Sequence, residues 1–76
     1  MADPVYKRLA ELYPKIESNT LTEAEQKEVK ICLKANYHKI QRLLKYEALH
    51  ELWMNLGQED LAKEAHQMIR RELGLV

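Results

Sequence analysis

Leu49-His50-Glu51-Leu52-Trp53-Met54-Asn55-Leu56-Gly57-Gln58-Glu59-Asp60-Leu61-Ala62 is the stretch on which the fold turns. Leu49, Leu52, Trp53 and Leu56 recur at i, i+3, i+4 and i+7, which lines them along one face of a helix. Gly57 follows at once, and a glycine in the left-handed conformation is the usual way to end a helix. Glu59 and Asp60 then suit the positive end of a new helix. Its apolar stripe reads Leu61, Ala65, Met68 or Ile69, and Leu73, with Arg70 and Arg71 at the negative end and Gly74 as the stop. So short a connection forces the two helices into an antiparallel hairpin.

Working outward, Thr22-Glu23-Ala24-Glu25 is a capping box, in which the threonine oxygen and the glutamate carboxylate satisfy each other's backbone amides. The apolar positions that follow are Val29, Cys32 or Leu33, Asn36, Ile40, Leu43 and Leu44. No Gly or Pro lies between Lys15 and Leu56, so this helix is expected to run on to a break near Lys45 and Tyr46. Asn36 is a polar residue on the apolar side, expected at the edge of the stripe and bonded to a loop or to water. Upstream, Asp3-Pro4 is a helix start: aspartate caps free amides, and proline fits the first helical position. Val5, Leu9, Leu12 and Ile16 share a face across Pro14, which predicts a helix kinked or broken there. Ser18-Asn19-Thr20 is the loop. The expected fold is all-α, a small bundle of three to four helices at about 4–17 (kinked at Pro14), 23–45, 47–56 and 59–73, with 1–76 as a single helical domain.

Composition agrees. Leu, Ala, Glu, Lys and Gln favour helix, and two Gly and two Pro offer few breakpoints for a sheet. At 76 residues a single small core supplies only a few kcal/mol net, which keeps self-association in view. Lys plus Arg equals Asp plus Glu, so the excess of positive charge that drives general nucleic-acid binding is missing. The single cysteine, Cys32, has no intrachain disulfide partner and fits a reducing compartment. No signal-peptide pattern opens the chain, and no apolar run approaches the roughly 20 residues that span a bilayer. The expected location is the cytoplasm, with no membrane association.

The most suggestive pattern is basic. Lys30, Lys34, His38 and Arg42 recur every four residues, with Lys27, Lys39 and Lys45 nearby and Glu28 the one acid between Lys27 and Lys45. On one helix this makes a positive stripe able to meet phosphates or an acidic partner. The plainer reading is a solvated face paired with Glu47, Glu51, Glu59, Asp60 and Glu64 of the following segment. Tyr37 beside the stripe is the first candidate among the tyrosines for a partner surface, while Trp53 is expected in the core. His38, His50 and His66 fall on three predicted helices, and no His or Cys pair has the i, i+3 or i+4 spacing of a helical metal site. No phosphate loop and no nucleophile motif is present, and Cys32 reads as a small core residue.

Two resemblances bear on this reading. The turn from Leu52 to Ala62 resembles the one between the helices of a tetratricopeptide repeat, with Gly57 and Ala62 matching that family's pattern, and it implies a helical hairpin at 49–73. Leu21-Thr22-Glu23-Ala24-Glu25 with Cys32-Leu33-Lys34-Ala35-Asn36 is similar to small helical proteins of unknown function from Bacillus-type bacteria and their phages. That resemblance implies an intracellular bacterial or phage origin and transfers no site residues.

The sequence therefore reads as a non-catalytic protein–protein interaction module without cofactor or metal, acting on an unknown protein partner or on a second copy of itself. The alternative is a nucleic-acid-associated protein using Lys30, Lys34, His38 and Arg42. Lys30, Lys34, Tyr37, His38 and Arg42 are the candidate contact residues on either reading.

Overall fold

Four helices follow one another: α1 (Pro4–Glu17), α2 (Glu23–Ala35), α3 (Gln41–Asn55) and α4 (Glu59–Glu72). The computed structural model describes residues 3–75, and among them there is no strand. Met1 and Ala2, on which part of the N-terminal reading rests, lie outside the described residues.

α1 begins as expected, with Asp3 Oδ1 accepting from the Val5 amide at 2.9 Å and Pro4 in the first turn. It then runs unbroken through Pro14. Pro14 lies in the last turn, where only one ladder bond is forfeited, and its carbonyl still accepts from the Ser18 amide at 3.1 Å. Asn19 ends the helix at φ 56, one of the few side chains that tolerate the left-handed region. The Asn19 and Thr20 amides return to the Ile16 and Lys15 carbonyls, closing a Schellman motif. Gly57 and Gly74, at φ 74 and 73, close α3 and α4 in the same way.

The capping box of α2 is present in both directions, Glu25 N to Thr22 Oγ1 at 3.1 Å and Thr22 N to Glu25 Oε1 at 3.0 Å. The end of α2 is where the structure departs from expectation. The helix stops at Ala35, and the break lies at residues 36–40 rather than near Lys45 and Tyr46. Asn36 is the C-cap, with the non-helical angles φ −118 and ψ 22. Its backbone amide and its side-chain Nδ2 both donate to the Cys32 carbonyl, at 3.1 and 2.8 Å. The ladder bond to Cys32 is kept, and the side chain adds a second donor on the same carbonyl. The Lys39 amide then closes a turn on the Asn36 carbonyl at 2.9 Å. Ile40, fully buried, stands at the N-cap of α3.

The chain divides into two compact units, one ending at Lys39 and one beginning at Ile40. In the first, α1 buries Leu9, Leu12 and Tyr13, while Ile16 of the expected stripe is exposed. α2 has no fully buried side chain. Tyr6 Oη donates to the Lys39 carbonyl at 3.2 Å, tying the 36–40 turn to α1.

In the second unit α3 and α4 pack as the antiparallel hairpin that the sequence predicts. The buried stripe of α4 is Ala62, Ala65 and Ile69, continued by Leu73, and α3 contributes Leu43. Two alanines on the buried face let the backbones approach closely, and full burial of Ile69 or Leu73 stabilises by about 1.5–3 kcal/mol each. The expected stripe of α4 holds at Ala65, Ile69 and Leu73, with Ala62 buried in place of Leu61, whereas that of α3 does not hold. Leu52, Leu56 and Leu61 are exposed, and Trp53 is half-buried instead of lying in the core.

Candidate interaction face

α2 is fixed along one flank by charge. Arg8 of α1 grips Glu28 with two hydrogen bonds, Nε to Oε2 at 2.6 Å and Nη2 to Oε1 at 2.8 Å, a fork that matches the carboxylate plane. Its remaining Nη1 reaches Glu11 at 3.0 Å. Lys15 Nζ meets Glu25 Oε2 at 2.6 Å. The Arg8 guanidinium holds the Glu28 carboxyl below the usual carboxylate range, and Glu28 with Glu11 pushes the Arg8 pKa up in return. Glu25 is lowered to about 2, first by Lys15 and then by the Thr22 amide. Asp3 is lowered by the Val5 amide and, less strongly, by Lys39, whose Nζ lies 3.2 Å from Oδ2.

The opposite flank of α2 is left exposed. Lys27, Lys30, Ile31 and Lys34 stand at i, i+3, i+4 and i+7 and so share one face, and all four are exposed. Ile31 is 67% exposed, the highest among the large apolar residues described. Just beyond the helix Tyr37 is 55% exposed and meets His38 edge-on, ring centroids 5.7 Å apart. Among the described residues neither Lys30 nor Lys34 has an ion-pair partner.

The four-residue repeat Lys30, Lys34, His38, Arg42 is not one helical stripe. Lys30 and Lys34 belong to α2, His38 to the turn, and Arg42 to α3, because α2 ends at Ala35. Arg42 is also paired, Nη2 to Glu72 Oε1 at 2.9 Å. Internal acids thus answer Arg42 and Lys39 but leave the α2 lysines open. The sequence reading passed over Ile31, since its one signal is being a lone apolar residue off the buried stripe.

Cys32 is half-buried, its sulfur 3.8 Å from Asn36 Nδ2. Among the described residues no group of three or more His, Cys, Asp or Glu is placed to hold a metal ion. No described helix is long and apolar enough to cross a membrane. The α2 face thus presents three ammonium groups around an exposed isoleucine.

No curated protein and no solved structure matches the chain. A family model matches residues 2–73, nearly the whole sequence, and the chain belongs to that family of unknown function, DUF7667.

Proposed function

We propose that this protein is a small cytoplasmic, non-catalytic interaction module that binds an acidic, amphipathic segment of a partner protein on the exposed face of α2. The observation that carries the reading is Ile31, two-thirds exposed and bracketed by Lys27, Lys30 and Lys34. A solvated helix face has no need of an isoleucine, and a phosphate-binding face gains little from one. Apolar anchors surrounded by charge are the pattern of protein docking, where the centre supplies affinity and the rim supplies steering and specificity. Tyr37 extends the same surface with an apolar ring and a polar tip. An origin in Bacillus-type bacteria or their phages is part of the reading, on the resemblance carried by residues 21–25 and 32–36.

Nucleic-acid binding is the weaker reading because Arg42 is on another helix and already paired with Glu72. The test is a co-precipitation of the intact chain from such a host, in parallel with Ile31→Asp and with Lys30→Glu/Lys34→Glu. The expected result is one acidic partner, retained by the parent and lost by both variants, with Lys30→Glu/Lys34→Glu lowering the association rate most at low salt. No partner, or one held equally by all three proteins, contradicts the reading. DNA or RNA retained by the parent and released steeply by salt transfers the face to nucleic acid.

A further inference from the structure

The antiparallel hairpin brings together two imidazoles that the sequence keeps sixteen positions apart. His50 of α3 and His66 of α4 lie with ring centroids 5.6 Å apart and planes at 58°. Both are half-buried, and they share a groove with Met54, Glu59, Ala62 and Lys63. Spacing within single helices could not have found this pair, since one ligand comes from each helix.

We infer that His50 and His66 form a two-imidazole binding site for a first-row divalent transition ion of the zinc or copper class, one that staples α3 to α4. An ion about 2.0–2.1 Å from each ligating nitrogen, at a tetrahedral angle, holds two imidazole centroids roughly 5 Å apart. The observed centroid separation of 5.6 Å lies within about an ångström of that value. Imidazole is a good ligand for zinc and copper and a poor one for magnesium or calcium, which take oxygen donors. Two protein ligands leave the remaining positions to water, so the site is an open one of modest affinity rather than a closed structural site. The Lys63 ammonium opposes a cation in this groove and the Glu59 carboxylate offsets it. Because ligating imidazoles must be neutral, binding weakens as the medium is acidified. An ion bound to both helices of the folded hairpin, and to neither rigidly in the unfolded chain, raises the unfolding temperature.

The experiment is a titration of the intact protein with zinc chloride, free of chelating buffer, following the imidazole proton resonances of all three histidines. The expected result is saturation at one equivalent, with the His50 and His66 signals moving together and that of His38 unmoved. His50→Gln and His66→Gln should each weaken binding by at least about tenfold, the lower end of what losing even an outer-shell partner costs. Magnesium chloride should leave all three signals in place, and zinc should raise the unfolding temperature of the parent alone. The resonance readout on the parent needs no variant, so a variant that fails to fold does not shield the inference. It is overturned if zinc gives no saturable shift, if the shift falls on His38 or is abolished by Cys32→Ser, or if saturation comes at half an equivalent with two chains linked.

Discussion

α2 and α4 are nearly equal in length, thirteen and fourteen residues, and are held in place by opposite means. α4 buries Ala62, Ala65 and Ile69 against its neighbour and depends on apolar packing. α2 buries no side chain fully, leaving Val29, Cys32 and Leu33 half-buried, and relies more on a capping box, the Arg8–Glu28 fork and the Lys15–Glu25 pair. Packing of the first kind is insensitive to salt and tolerates no loss of volume. Fixation of the second kind is screened by salt and uses only one flank of the helix. A helix held by its charged flank can leave an isoleucine and three lysines outside, and that is the face proposed here for a partner.

The largest expected effect breaks the apolar side. Ile69→Ala removes a fully buried side chain and should cost about 2–5 kcal/mol in urea denaturation, by a similar amount at low and high salt. A cost below that of Thr22→Ala would undo the contrast. Gly57→Ala comes next. Open space surrounds its added methyl, so the cost of about 1–2 kcal/mol is that of a left-handed backbone alone. Thr22→Ala deletes half of the capping box and should cost about 1 kcal/mol, read as lost helicity of α2.

Acid sharpens the comparison further. The carboxyls of Glu25, Glu28 and Asp3 have pKa values depressed by folding, so what they contribute is complete above their ordinary range and lost on acidification. For Glu25 the loss runs from about pH 4.5 down to about 2. Circular dichroism across that window should show α2 weakening in the parent, and less change in Glu25→Gln, which has already lost the charge. The smallest effect is a gain: Asn19→Gly relieves a side chain at φ 56 and should stabilise by a few tenths of a kcal/mol, seen as a small rise in the urea midpoint.

Most of the helical architecture is legible in the sequence because caps are local. Asp3-Pro4, Thr22 with Glu25, Gly57 and Gly74 each mark an end through bonds spanning a few residues. The end of α2 was not legible in the same way. Asn36 reads as an edge residue until its side chain is seen on the Cys32 carbonyl, an interaction that looks on paper like helix continuation. That single misplacement carried the basic stripe with it, joining Arg42 to Lys30 and Lys34 on one imagined helix. One position of the α4 stripe differs for another reason. Leu61 outweighs Ala62 by hydrophobicity alone, yet close helix packing selects the smaller residue. Of the candidate contacts, Lys30, Lys34 and Tyr37 are exposed, which the sequence left open for the two lysines, whereas Ile31 carries no signal in the sequence beyond lying off the apolar stripe.

Residue-resolved amide hydrogen exchange on the intact protein, at low salt and in 1 M sodium chloride, tests the contrast between α2 and α4 most directly. At the higher salt the screening length falls to about 3 Å. The account predicts that amides from Lys30 to Ala35 lose protection while those from Ala65 to Ile69 keep theirs. Equal loss along both helices, or no change in α2, would contradict it.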